Sequence, residues 1–215
     1  MSLITLTDPN SSASEAYRTL RTNLSFYSLD NPLRSLVMTS PAVSADRGEA
    51  AANLAVTMAQ SGRKTLLVDC DLRRPFLHTF FALGNDDGLT NMILHDTETS
   101  PLQQTSVENL WLLTSGPKPP NPADLLGSKK VDQLIASLTE QFDFVLFNAP
   151  PVVAVSDATI LGAKVDGVLL VITAGKTRRD HAEKAKEMLA KARVRVIGVA
   201  LTNAPKDSSL GDYYN

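Results

Sequence analysis

The chain's 215 residues suit one large α/β domain better than two small ones, and its 43% hydrophobic and 20% charged content is that of a soluble globular protein. A formal charge of −2 carries no basic excess, which argues against a nucleic-acid partner or an anionic-membrane surface. The single cysteine, Cys70, excludes an internal disulfide and suits a reducing, cytoplasmic setting, and no run approaches the roughly 18 apolar residues of a membrane span.

Taken in order, the opening Met1-Ser2-Leu3 is compatible with a domain excised from a longer protein. A helix is expected over about 14–28, with Ser14 as N-cap and an apolar stripe of Ala16, Leu20, Leu24 and Tyr27. Leu36–Met38 reads as a buried strand, followed by a loop and a helix over Glu49–Gln60 that Ser61-Gly62 stops. Lys64–Cys70 is a continuous apolar run, as in parallel sheets covered on both faces. Short helices broken at Gly84–Gly88 fill Phe76–His95, and Asn109–Thr114 is a strand. Four prolines in SGPKPPNPADLL forbid regular structure until Pro122 opens a helix running to about Gln141. Strands at Phe142–Asn148, Gly167–Ala174 and Arg195–Leu201 alternate with helices at Ser156–Ala163 and Arg178–Ala192. The last of these strands is expected in the core. Such alternation predicts a doubly wound, mostly parallel sheet flanked by helices, in one domain over 1–207 with a flexible tail over 208–215.

The segment LVMTSPAVSADRGEAAANLA (Leu36–Ala55) has the frame of a phosphate-binding loop, in which a strand feeds a turn and a helix N-terminus faces the phosphates. A phosphate loop needs G-x-x-x-x-G-K-[ST], and here the stretch aligned through AANLA reads Ser44, Ala45, Asp46, Arg47, Gly48, Glu49. Glycine before the lysine has become Asp46, the lysine Arg47 and the hydroxyl residue Gly48. Two further strands end in polar residues, LLVDCDLRRP (Leu66–Pro75) and FVLFNAPP (Phe144–Pro151). Asp69 and Asp71 lie two apart at a strand end, which puts both side chains on one side. Such a pair suits a magnesium shell or a general base, or else a structural pairing with Arg73 or Arg74. Glu15, Arg18 and Arg21 recur every third residue and share a helix face, which by itself reads as a solvated face with local ion pairs.

Four stretches in matching order, SEAYRTLRTNL, LLVDCDLRRP, LLTSGPKPPNPADLL and FVLFNAPPVVAVSDA, resemble the cytoplasmic domain of the bacterial tyrosine kinases of capsule and exopolysaccharide synthesis. The resemblance runs from about Ser14 to Asp207. The ParA/MinD-type ATPases are relatives that share the loop and generally lack the proline-rich stretch. The resemblance implies catalytic roles for Asp69 and Asp71, with Asp71 the magnesium ligand if there is one. It places Asn148 where the family has the aspartate that supports magnesium, and Thr202, with Asn203 adjacent, where an asparagine meets adenine. It matches Glu15, Arg18 and Arg21 to a signature that closes rings of subunits, and Tyr213 and Tyr214 to a cluster that neighbours phosphorylate.

The departures point away from catalysis. One carboxylate about 4 Å from a phosphate charge costs on the order of 4 kcal/mol at an effective dielectric of about 20, roughly three decades of affinity. Gly48 offers no magnesium ligand, Arg47 is planar and bulky where a compact lysine is needed, and Ser44 and Asp46 restrict the turn. The expectation is a pseudokinase that needs no cofactor and regulates polysaccharide synthesis. It would act in the cytoplasm at the inner face of the plasma membrane, as a homo-oligomeric ring. A membrane-anchored polysaccharide co-polymerase, or a transmembrane segment of its own parent chain, would hold it there. The alternatives are an active tyrosine autokinase using magnesium and ATP, and a ParA/MinD-like ATPase. In a structure, Asp46 or Glu49 is expected in the β-phosphate space, beside Arg47, and the Glu15–Arg18–Arg21 face is expected to be left for a neighbouring subunit.

Overall fold

The computed structural model describes residues 2–27, 32–43, 46–94 and 100–204. Among them one sheet forms from β1 (Ser35–Thr39), β2 (Thr65–Asp69), β3 (Gln103–Gln104), β4 (Leu110–Leu113), β5 (Phe144–Asn148), β6 (Gly167–Thr173) and β7 (Val196–Thr202). Its order is β3-β4-β2-β5-β1-β6-β7, parallel throughout except for the β3–β4 pair. The helices are α1 (Ile4–Thr7), α2 (Ser12–Phe26), α3 (Asp46–Gln60), α4 (Leu77–Phe80), α5 (Leu89–Leu94), α6 (Pro122–Gly127), α7 (Lys129–Gln141), α8 (Asp157–Gly162) and α9 (Arg179–Lys191). This is the doubly wound, mostly parallel sheet that the alternation implies.

Strand residues point alternately to opposite faces, so each apolar strand feeds two cores. Leu36 and Met38 of β1 pack with Leu54 and Met58 of α3 and Leu24 of α2. Val37 turns the other way, into a layer with Val131, Ile135 and Leu138 of α7 and Leu189 of α9. β1 lies between β5 and β6, and the strand order switches direction there. In open sheets of this kind the crevice beyond the carboxyl ends at such a switch holds the ligand.

Several local expectations are corrected. Ser11, not Ser14, caps α2: its side chain accepts from the Ser14 N–H at 3.2 Å. Ser14 lies inside the helix, fully buried, with its hydroxyl on the Asp8 carbonyl at 2.7 Å. The four-residue α1 is too short to show a period, and tertiary contact holds it: Thr5 Oγ1 donates to Asn53 Oδ1 of α3 at 2.8 Å. The helix expected over 122–141 breaks at Ser128, whose extended backbone (ψ 155°) separates α6 from α7. α3 opens at Asp46, three residues before Glu49. The strand expected last in the core is instead the sheet edge, with Val199 and Leu201 of β7 more than half exposed (55% and 58%). Ser44, Tyr213, Tyr214 and the expected tail lie outside the described residues.

Candidate nucleotide site

Three parallel strands, β1, β5 and β2, deliver the site from their carboxyl ends. β1 leads through a loop to the first turn of α3, which carries Asp46, Arg47, Gly48 and Glu49. β5 ends on Asn148, and β2 ends on Asp69 directly beside it in register. Asp71 follows two residues later, beyond the strand.

Arg47 is the centre. Its side chain is only 4% exposed, and its fork divides between two partners. Nη2 donates to Asp71 Oδ2 at 2.8 Å and Nε to Asn148 Oδ1 at 3.1 Å. Asn148 Nδ2 passes the chain on to Asp69 Oδ1 at 3.0 Å. A planar guanidinium can bridge a carboxylate and an amide in this way, whereas an ammonium presents one donor centre. Burial lowers the Arg47 pKa from its ordinary value, and the carboxylates Asp71 and Asp69 oppose that shift.

Asp69 is 1% exposed, and its oxygens accept four hydrogen bonds. Oδ1 takes the Asp71 N–H (3.2 Å) as well as Asn148, and Oδ2 takes the N–H groups of Phe76 and Leu77 (3.0 Å each). Burial raises its pKa, against the Leu77, Asn148, Phe76 and Asp71 hydrogen bonds that favour the carboxylate. Asp69 therefore holds the start of α4, and with it the backbone of Phe76. Asp69 and Asp71 do not act together as a facing pair: one is bound to backbone amides and Asn148, the other to Arg47. Nor do Arg73 and Arg74 pair with them through their side chains. Arg73 instead makes a two-point contact with Asp157 of α8, Nε to Oδ2 at 3.0 Å and Nη2 to Oδ1 at 3.1 Å.

Phe76 was not singled out in the sequence, where it reads as one more apolar residue opening a helix. Its ring points at Gly48. A β-carbon added there would lie 2.1 Å from Phe76 Cζ and 2.9 Å from both ε-carbons. The ring also meets Phe80 edge to face, with centroids 5.7 Å apart. The helix position that bears a hydroxyl in a working phosphate loop is thus a glycine beneath an aromatic ring.

Asp46 and Glu49 are not beside Arg47 as expected. Asp46 Oδ2 is 3.5 Å from Thr202 Oγ1 at the end of β7, and the Thr202 hydroxyl also neighbours Thr173 Oγ1 at 3.2 Å. Asn203 uses its side-chain N–H on the Ala174 carbonyl at 3.2 Å. Glu49 is exposed at the rim. Within this chain the arginines of the α2 face already have partners. Arg18 pairs with Glu15 at 2.9 Å and donates to the Pro9 carbonyl, and Arg21 donates to the Thr57 carbonyl of α3 at 3.0 Å.

As arranged, these residues do not fit a magnesium–nucleotide held in the manner of a phosphate loop. Among the described residues the one buried cation is committed to Asp71 and Asn148, position 48 has no side-chain oxygen to offer, and Phe76 occupies the space above it. Tyr17 of α2 reports the local charge. Burial first, then the nearby Glu49 and Asp46 carboxylates, push its pKa from 10.0 up to about 12. Because the folded value is the higher, stability is intact below pH 10 and falls as pH rises from 10 towards 12. Urea melts across that window should show a loss of about 2 kcal/mol that Tyr17→Phe does not share.

The comparisons agree with this architecture. A ParA family model, described as NUBPL iron-transfer P-loop NTPase, matches residues 47–203. Fold and site together define a ParA-like P-loop NTPase domain. Tyrosine-protein kinase YwqD of Bacillus subtilis is 45% identical over 98% of this chain and 89% of its own length. Putative tyrosine-protein kinase CapB of Staphylococcus aureus is 39% identical over 96% and 91%. The crystal structure of the chimerical protein CapA2B2 superposes with a TM-score of 0.90 at 37% identity, covering 95% of this chain and 90% of that one. The chain belongs to the bacterial tyrosine kinase family.

Proposed function

We propose that this chain is a non-catalytic member of that family. It regulates capsule or exopolysaccharide synthesis through its surfaces rather than by phosphoryl transfer. The observation that carries this reading is the buried bridge from Asp71 through Arg47 to Asn148, closed over by Phe76 at Gly48. A lesion that merely disabled a kinase would leave orphaned polar groups, which are costly when buried. Here three of the changed residues have partners: Arg47 with Asn148, Gly48 with Phe76, Asp46 with Thr202. The substitutions read as a set that has settled into a different packing.

The reading places the domain in the cytoplasm at the inner face of the plasma membrane. No described helix is long and apolar enough to cross a membrane, so a membrane-anchored polysaccharide co-polymerase or another segment of the parent chain supplies attachment. Assembly into a homo-oligomeric ring through α2 belongs to the same proposal. It requires Arg18 and Arg21 to exchange their intrachain partners for a neighbour's. The runner-up is an active autokinase with magnesium and ATP, favoured by the retained Asp69 and Asp71.

Calorimetry with Mg-ADP and Mg-ATP separates the two. The non-catalytic reading expects no saturable heat, no thermal shift and no phosphotyrosine after incubation with Mg-ATP. A ligand at a hundred times its dissociation constant adds about 2.7 kcal/mol, which would raise the melting temperature of a domain this size by roughly 5–10 °C. A shift of that size with phosphate appearing on tyrosine would overturn the reading.

A further inference from the structure

A cavity of about 640 Å³ opens beside the Arg47 bridge, a size that holds a small organic molecule. Its walls are apolar: Val43, Phe76, Phe80, Pro150, Pro151 and Val155. The ionic groups around it are mostly neutralised in pairs, Arg47 with Asp71 and Arg73 with Asp157. Two charges remain. Among the described residues Arg74 has no side-chain hydrogen bond or ion pair, although its backbone N–H is held by Asp71 at 3.1 Å. Glu49 stands on the same lining with its carboxylate likewise unpaired among the described residues.

We propose that this cavity is a binding site for a small amphiphilic monoanion, an aromatic or similarly apolar body bearing one anionic head. The apolar walls desolvate the body, and Phe76 and Phe80 offer ring edges and faces to an aromatic group. The Arg74 guanidinium takes the head, because a cation next to an apolar surface gains most from an anion that arrives partly desolvated. Glu49 sets the charge limit. One anionic group can be matched by Arg74, whereas a di- or triphosphate would bring further charges towards Glu49 and the committed Asp71. The chemistry is therefore unlike that of a nucleotide, although the place is next to the nucleotide position. The inference extends the non-catalytic reading, since Phe76 serves as a cavity wall only while it lies over Gly48.

The test uses two fluorescent probes that share a body and differ in charge, anilinonaphthalene sulfonate and neutral N-phenylnaphthylamine. Titrations run on the native chain with Mg-ATP as competitor. The sulfonate should bind saturably at one site per chain, about tenfold more tightly than the neutral probe. Arg74→Ala should bring the sulfonate down to the neutral probe's affinity, Arg74→Lys should restore part of the difference, and Val155→Trp should abolish binding of both. Arg74 is exposed, so its variants test the anion without risking the fold. Equal affinity for the two probes, indifference to Arg74→Ala, or no saturable binding would each overturn the proposal. Competition separates this proposal from the previous one. If Mg-ATP displaces an Arg74-dependent sulfonate, the cavity site stands and the closed nucleotide position does not.

Discussion

Arg47→Ala should lower folding stability by about 3–5 kcal/mol, the cost of removing one partner from a buried ion pair. The substitution strands the Asp71 carboxylate, whose side chain is 7% exposed, and leaves Asn148 Oδ1 without its donor. Asp69 is spared, since three backbone amides and Asn148 Nδ2 still hold it. Adding Asp71→Asn should recover part of the loss by removing the uncompensated charge, which distinguishes stranding from simple loss of packing. Arg47→Lys should fall between, because one ammonium cannot reproduce the fork to a carboxylate and an amide. Urea denaturation near neutral pH measures all three. A loss under about 1 kcal/mol for Arg47→Ala would mean that water replaces the bridge and that Arg47 does not close the site.

Rebuilding the phosphate loop should fail unless Phe76 is cut back as well. The change set is Ser44→Gly, Asp46→Gly, Arg47→Lys, Gly48→Ser, Glu49→Thr and Asn148→Asp. It returns the loop pattern and the acidic support for magnesium while keeping Asp69 and Asp71. Yet the serine β-carbon would meet the Phe76 ring at 2.1 Å, so the ring must leave or the helix must shift. Gly48→Ser alone is expected to cost roughly 1–3 kcal/mol, the usual range for overpacking. The pair Gly48→Ser with Phe76→Ala should cost at least about 1 kcal/mol less than the sum of the single changes. Calorimetry of the sixfold variant should show no Mg-ATP binding, and adding Phe76→Ala should create it. Binding by the sixfold variant would show that the ring swings aside at little cost. No binding by either variant would move the defect to the adenine side, where Thr202 and Asp46 meet.

The amino-acid sequence carried the framework because its signals are periodic and local. Continuous apolar runs such as Leu66–Val68 and Val145–Phe147 mark strands buried on both faces, and the spacing of Val131, Ile135 and Leu138 marks a helix with one buried face. It also marked Asp46, Arg47 and Gly48 as departures from the phosphate-loop pattern, since a motif is a pattern of residue types along the chain. Boundaries moved by a few residues where capping chose among equivalent side chains, as at Ser11 against Ser14. The break at Ser128 escaped because both halves of the segment share a helical pattern.

Tertiary structure decided what the altered residues do to one another. Position 47 announces an arginine, but nothing local tells whether the fork meets Asp46 and Glu49 in its own helix turn or Asp71 and Asn148, 24 and 101 residues away. The sheet settles it. Parallel register sets Asn148 beside Asp69, and the fork reaches Asn148 and Asp71 in a site shielded from water, where its pairing is strongest. The same holds for Arg21, whose partner is the Thr57 carbonyl of a packed helix, and for β7, whose apolar residues lie at an edge because no described strand follows on that side. Phe76 over Gly48 is the clearest instance. A phenylalanine and a glycine 28 positions apart carry no joint signal in the sequence, and only a chain folded so that Asp69 anchors the start of α4 brings the ring onto the glycine.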